Sequence, residues 1–206
     1  MKKEITKKKV IVGMSGGIDS AMALYLLKKQ GYDVMGVSLK FGVWDSEKNL
    51  LKENVCCNRG AFLVAKNICN FFGVAYKIVD VKQEFNNKII KYFINDVKSN
   101  YTPNPCIMCN HLIKIKVLID VMKKYKADFV ATGHYAKIVF NKTSKEYELR
   151  LSADKKKDQT YFLSQLTQNQ IKYLKLPFAN YTKDELYKLF KKLGIKIFDK
   201  TKQSQD

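Results

Sequence analysis

The strongest constraint on the fold is a switch of hydrophobic pattern near residue 13. Val10-Ile11-Val12 is a short unbroken apolar run, as expected of a strand buried on both faces. Gly13-Met14-Ser15-Gly16-Gly17-Ile18-Asp19-Ser20 follows at once, and Ala21-Met22-Ala23-Leu24-Tyr25-Leu26-Leu27 then reads as a helix. A strand that enters a helix through two adjacent glycines commits the chain to a βα unit. The glycines let backbone come close to a ligand. Successive N–H groups there, backed by a helix N-terminus, favour an anion such as phosphate. Ser15 and Ser20 add hydroxyls, and Asp19 adds a carboxylate able to hold Mg²⁺ among phosphate oxygens.

The unit repeats. Apolar runs at 33–39, 74–79 and 128–132 predict further strands, and helices are expected at 18–29, 57–72, 85–97 and 112–125. In the second helix Ala61, Val64, Ala65, Ile68 and Phe72 fall on a helical period. The fold class that follows is α/β: a Rossmann-like parallel sheet with helices on both faces. Ligands of such sheets bind at the carboxyl ends of the strands. The Ser15 loop and the turn at Gly133 both belong there. Later the pattern changes. Residues 135–140 and 147–151 flank a polar turn and predict a hairpin. From Asn169 the chain reads as a small helical C-terminal segment, in which Thr182 and Glu185 form a capping box and Gly194 ends the helix. A soft boundary near Gln168 divides a catalytic region, 1–168, from a segment 169–206.

Among 206 residues, 38 Lys and Arg stand against 19 Asp and Glu, a formal net charge of +19. Such a field attracts nucleic acid. The lysines are scattered, however, and Arg59 and Arg150 are the only arginines, a composition that AT-rich coding also produces. No run of about 18 apolar residues offers a membrane span, and the lysine-rich N-terminus carries no apolar signal region. A cytoplasmic protein is expected. Five cysteines, an odd number, point to thiol chemistry or metal binding rather than to a disulfide framework. Cys56 and Cys57 read as structural, and Cys69 as core packing.

A second motif, Thr102-Pro103-Asn104-Pro105-Cys106-Ile107-Met108-Cys109-Asn110, lies between two expected helices. Its two prolines stiffen the backbone and present a C-x-x-C pair at a helix start. A helix N-terminus and lysines such as Lys114 favour thiolate. The competing reading is half a zinc ribbon, but no second C-x-x-C follows, and His111 and His134 make no ligand spacing with each other.

The loop S-G-G-x-D-S lacks the lysine of a Walker motif and resembles instead the PP-loop of ATP pyrophosphatases, which cleave ATP to AMP and pyrophosphate. Ala131-Thr132-Gly133-His134-Tyr135 and Lys157-Asp158-Gln159-Thr160-Tyr161-Phe162-Leu163 complete an ordered set of four motifs. Together they resemble the tRNA-specific 2-thiouridylase (MnmA) family, from about Lys9 to Ser204-Gln205-Asp206. The resemblance implies an adenine nucleotide alpha hydrolase-like fold and a set of roles. Residues 13–20 would hold ATP, with Asp19 catalytic and on Mg²⁺. Leu39, usually Met in the family, would contact adenine, and Gly133 would contact ATP; apart from the resemblance, Phe41 and Trp44 read either as the rim of an adenine pocket or as loop aromatics that cover a core. Asn104-Pro105-Cys106 would meet the target base and Cys109 would be the nucleophile. His134 and Lys157-Asp158-Gln159 would face tRNA.

The family reaction adenylates O2 of the wobble uridine in the anticodon loop, and persulfide sulfur from a donor protein then displaces AMP to give 2-thiouridine. Many relatives carry Asp where Cys106 stands. The Cys106/Cys109 pair therefore reads either as a redox-active sulfur relay or as part of an iron–sulfur site. A further family cysteine lies beyond the S-Q-D segment, where this sequence ends, and a fragment is expected. Three alternatives remain. One is another PP-loop enzyme, such as an iron–sulfur-dependent tRNA thiolase. A synthetase-type amidotransferase domain is another, although no glutaminase segment is present. The last is a truncated module that binds ATP and tRNA without full activity.

Overall fold

The computed structural model describes residues 7–42 and 59–195. Cys56, Cys57, Trp44 and Ser204-Gln205-Asp206 lie outside them. The first half alternates as its apolar pattern requires: β1 (Lys9–Gly13), α1 (Ile18–Lys29), β2 (Asp33–Lys40), α2 (Arg59–Phe71) and β3 (Ala75–Asp80). α3 (Lys82–Phe85), a π-helical turn (Asn86–Ile90) and α4 (Lys91–Lys98) form one helical run. So do α5 (Pro105–Cys109), a second π turn (Asn110–Ile115) and α6 (Lys116–Lys124). β4 (Phe129–Ala131) leads to the hairpin β5 (Lys137–Asn141) and β6 (Glu146–Arg150). A 3₁₀ turn (Thr160–Leu163), α7 (Gln168–Ile171), β7 (Leu174–Lys175) and α8 (Lys183–Lys192) follow.

Five strands pair in parallel in the order β3-β2-β1-β4-β7, and β5-β6 is a separate antiparallel pair. β1 is central, and its apolar run has no exposed surface. Ile11 faces a core shared with Ile113, Leu118 and Ile119 of the C-x-x-C helix. Val10 and Val12 face a second core built by α1, α2 and α8, through residues such as Leu24, Ile68, Leu186 and Phe190. Helices thus cover both faces, as expected of a doubly covered parallel sheet. Cys69 is fully buried in the second core, and burial pushes its thiol pKa up to about 12.

Two features depart from the sequence reading. The helix expected from residue 112 begins at Pro105. Asn104 caps it by accepting from the Cys106 N–H at 3.1 Å, and proline fits the first helical position. The π turn inserts a residue into the helical repeat, so the apolar positions before and after it share no single period. Beyond residue 168, where helix is expected throughout, the two-residue strand β7 extends the sheet beside β4. A strand that short carries no period to read.

α8 starts as its sequence dictates. The Glu185 N–H donates to Thr182 Oγ1 at 3.3 Å, and the Thr182 N–H donates to the Glu185 carboxylate at 2.8 Å. Thr182→Ala is expected to cost about 1 kcal/mol, read as a lower urea midpoint with unchanged m-value.

Candidate active site

The first half of the loop after β1 is fastened to β2. The Met14 N–H donates to Val37 O at 2.8 Å, and Met14 O accepts from Ser38 Oγ at 2.6 Å. Ser38 Oγ in turn accepts from the Tyr76 hydroxyl at 2.8 Å. Met14 is buried, so Gly13 and Met14 anchor the loop and leave its exposed backbone to residues 15–17. Gly16 has φ +84°, and a Cβ there would lie 2.4 Å from Ala61 O at the start of α2. Both the conformation and the space demand glycine. Beyond it the loop closes on itself. The Gly17 N–H donates to Ser15 Oγ at 3.3 Å, Ser15 Oγ to Ser20 Oγ at 3.3 Å, and Ser20 Oγ to Gly17 O at 2.8 Å. Ile18 packs on the core under the first turn of α1.

Asp19 stands in that first turn with both carboxylate oxygens engaged. Oδ1 accepts from the Tyr135 hydroxyl at 2.9 Å, and Oδ2 lies 3.6 Å from Lys183 Nζ. The Tyr135 ring is buried against Phe178. Burial above all, then the charge and hydrogen bond of Asp19, hold its phenol protonated well above the usual range. Neither partner stood out in sequence. Tyr135 was the last letter of a motif, and Lys183 was one lysine among many at a capped helix start.

The turn after β4 lies against this loop. A Cβ on Gly133 would lie 2.9 Å from both Asp19 C and Asp19 O, so this turn touches the backbone of α1. Next to it, His134 Nδ1 pairs with Thr132 Oγ1 at 2.8 Å. Burial, aided by the ammonium of Lys114, pushes the His134 pKa down to about 3. The imidazole is therefore neutral at pH 7, a hydrogen-bonding group without charge. Lys114 sits in the π turn that follows Cys109, and its field reaches His134.

On that helix Cys106 is exposed and Cys109 buried, three residues apart and hence neighbours on one face. Asn104 and Pro105 form the helix start itself. Asn110 is buried, donates from Nδ2 to Phe162 O at 3.1 Å, and leaves Oδ1 without a partner. His111 Nδ1 pairs with Gln170 Oε1 at 2.8 Å, tying the helix to α7. Among the described residues no group of three or more His, Cys, Asp or Glu could hold a metal. Cys106 and Cys109, the two thiols that the described residues bring to this helix, are fewer than the ligand set of an iron–sulfur cluster. Asp19 alone suits Mg²⁺, which is commonly held by one or two carboxylates and the phosphates it accompanies.

Leu39 and Phe41 are both buried, and Phe41 packs edge-on against Phe85 at 5.1 Å. Their side chains belong to the core beneath the loop. Gln159 clamps the turn, its N–H donating to Tyr135 O at 2.7 Å and its Oε1 accepting from the Tyr135 N–H at 3.1 Å. Asp158 accepts from the Ser152 and Thr160 N–H groups at 2.8 and 3.0 Å. The Lys157 N–H is held by Asp154. The 157–159 segment thus lies beside His134, with its amide and carboxylate turned to the chain itself.

A sequence profile described as tRNA methyl transferase HUP domain matches residues 8–206. The chain is 40% identical over 203 residues to a tRNA-specific 2-thiouridylase MnmA 2 of Clostridium tetani, covering 98% of this chain and 55% of that protein. It is 41% identical over 193 residues to the tRNA-specific 2-thiouridylase MnmA of Clostridioides difficile, covering 94% and 53%. The chain therefore spans about half the length of the curated relatives it matches. Among solved structures, an NMN synthetase from Francisella tularensis aligns with TM-score 0.52 at 17% identity, covering 95% of this chain and 66% of that one. A predicted subunit of tRNA methyltransferase from Methanocaldococcus jannaschii aligns with TM-score 0.51 at 15% identity, covering 89% and 76%. These likenesses support the Rossmann-like fold. Among the described residues no helix is long and apolar enough to cross a membrane.

Proposed function

The chain belongs to the family described as the tRNA methyl transferase HUP domain, and on that premise we propose that it thiolates tRNA, replacing O2 of the wobble uridine with sulfur at the expense of ATP. The family description speaks of methyl transfer, while the relatives' names speak of 2-thiouridine. The C-x-x-C pair favours sulfur. The observation that carries the reading is the Gly133-His134 turn. Its glycine lies against Asp19, and its histidine lies within the field of Lys114 on the cysteine helix. The turn thus touches the anion-binding loop, and the charge of Lys114, on the helical run that carries both thiols, acts on its histidine.

The chemistry follows in two steps. N–H groups of Ser15 and Gly16 and the start of α1 cradle the phosphates of ATP. Mg²⁺ at Asp19, when bound, supplies further neutralisation of charge on the pyrophosphate. Uridine O2 attacks the α-phosphorus and pyrophosphate leaves, which turns a poor leaving group into a good one. The base must leave its stack to reach the site, which suits an anticodon loop. Neutral His134 gives the entering base a hydrogen-bonding neighbour without adding charge.

Cys109, carrying sulfane sulfur from a persulfide donor protein, then attacks C2 through that terminal sulfur, and AMP leaves. Attack of the Cys106 thiolate on Cys109 Sγ breaks the S–S bond. This releases 2-thiouridine and leaves a Cys106–Cys109 disulfide for an external thiol to reduce. On this reading Asn104-Pro105 line the approach of the base. Lys157 and the overall positive charge draw in tRNA in the cytoplasm, and residues 169–206 serve as a linker or as the start of a tRNA-binding region.

The test uses unmodified tRNA transcripts with uridine or cytidine at the wobble position. Pyrophosphate release should rise about tenfold or more with uridine and stay at background with cytidine. Equal release with both overturns uridine activation. Binding of ATP and tRNA without any release leaves a binding module.

A further inference from the structure

The anion-binding loop itself contains no cation. Residues 13–20 hold no lysine or arginine, whereas a Walker loop supplies its own lysine to the phosphates. A polyphosphate bound there needs positive charge from elsewhere in the fold. Among the described residues, the structure places an ammonium at the loop. Lys183 Nζ lies 3.6 Å from Asp19 Oδ2, carried by the first residue of α8.

Three observations mark this lysine out. Its side chain is 24% exposed, less than the basic partner of any other ion pair among the described residues. Its backbone is fixed, because the Lys183 N–H donates to Asp154 Oδ2 at 2.9 Å, and the other oxygen of Asp154 accepts from the Lys156 and Lys157 N–H groups. α8 is also seated on α1 through Leu186 and Phe190 in a shared core. A single ion pair at this distance and exposure stabilises a fold little, while desolvating an ammonium costs free energy. Its placement is better explained by an anion that arrives at the same point.

We propose that Lys183 is a polyphosphate-binding residue, held by Asp19 in the ligand-free protein and released to the β- and γ-phosphates when ATP binds. The inference rests on the ATP reading above and deepens it. The exchange preserves charge pairing. The ammonium passes from one carboxylate oxygen to phosphate oxygens, and Asp19 is freed for the Mg²⁺ that accompanies them. Tyr135 keeps Oδ1 in place throughout, so Asp19 changes its partner without changing its position. α8, though it lies at the far end of the sequence, would then be part of the nucleotide site, acting on the leaving group and not on the adenosine half.

That division gives the test. Binding of ATP, inorganic pyrophosphate and AMP is measured by calorimetry with Mg²⁺ for the unmodified chain, Lys183→Met and Lys183→Arg. Lys183→Met should bind ATP and pyrophosphate about tenfold or more weakly, as loss of a charge-assisted contact implies, and AMP within twofold of the original. Lys183→Arg should restore most of the difference. Pyrophosphate affinity unchanged in Lys183→Met overturns the proposal, and so does an equal loss for AMP.

A second measurement needs no substitution. Acetylation of Lys183 by acetic anhydride, read by mass spectrometry on the unmodified chain, should slow about fivefold or more under saturating pyrophosphate and remain unchanged under AMP. No protection by pyrophosphate also overturns it. If the unmodified chain binds neither ATP nor pyrophosphate, the ATP reading itself fails. If it binds both and the lysine makes no difference, only this inference fails.

Discussion

Cys109→Ser is expected to abolish formation of 2-thiouridine, to below about 1% of the unsubstituted protein, while pyrophosphate release driven by tRNA continues. The two halves separate because they use different atoms. Cys109 lies at the end of α5, buried, with Cys106 one turn before it. A serine oxygen there cannot hold sulfane sulfur as a persulfide, and a hydroxyl is hardly ionised at neutral pH. The activating half depends on Ser15, Asp19, Ser20 and the Gly133 turn: Ser15 donates to Ser20, Asp19 accepts from Tyr135 and forms an ion pair with Lys183, and Gly133 lies against the Asp19 backbone. Burying a hydroxyl in place of a thiol costs about 1 kcal/mol or more if it finds no partner, so the variant's melting is recorded alongside.

Cys106→Ser should behave differently. It retains the attacking sulfur but cannot open the Cys109–substrate disulfide, so without external thiol about one equivalent of tRNA stays linked to the protein and no free 2-thiouridine forms, whereas the unsubstituted protein releases about one equivalent; added thiol frees the product of the variant. Mercury-affinity electrophoresis of the tRNA reads both outcomes. Full thiolation by Cys109→Ser would remove that residue from its role.

How far the site was legible depended on whether its cause was local. The loop after β1 was visible because a strand, paired glycines and a helix leave a contiguous record. So was the capping box at Thr182 and Glu185, a contact over three residues. What stayed hidden depends on residues far apart in the chain. The need for glycine at position 16 comes partly from Ala61, and at 133 from Asp19. Asp19 finds its partners at 135 and 183, which no spacing rule connects to residue 19. The helix start at Pro105 was hidden for a local reason, the π turn at 110–115 that breaks the apolar repeat. Asp158 and Gln159 illustrate the converse: a motif can be plain in sequence while its side chains are turned to hold the chain itself.

Gly133→Ala should damage the activating half as severely as Cys109→Ser damages sulfur delivery, and by sterics alone. The added Cβ would meet Asp19 C and O at 2.9 Å and Ser20 N at 3.2 Å, all backbone atoms that no rotamer change can move. Neither side yields easily. α1 is locked by Ala21, Met22, Ala23 and Leu24, which are almost fully buried. The turn is locked by the paired hydrogen bonds between Gln159 and Tyr135. Overpacking of this kind costs about 1–3 kcal/mol, and the displacement falls on Asp19 and Ser20, whose positions set the phosphate site. Displacing catalytic groups by about 1 Å can lower turnover about 100-fold, and a fall of about that size in tRNA-dependent pyrophosphate release is expected.

Gly31→Ala is the matched control. Its φ of +89° strains an alanine, but nothing lies within 4 Å of the new Cβ. It should lose roughly 1 kcal/mol of stability and keep its rate. If Gly133→Ala keeps its rate as well, the turn does not set the geometry of the loop, and its contact with the Asp19 backbone has no bearing on catalysis.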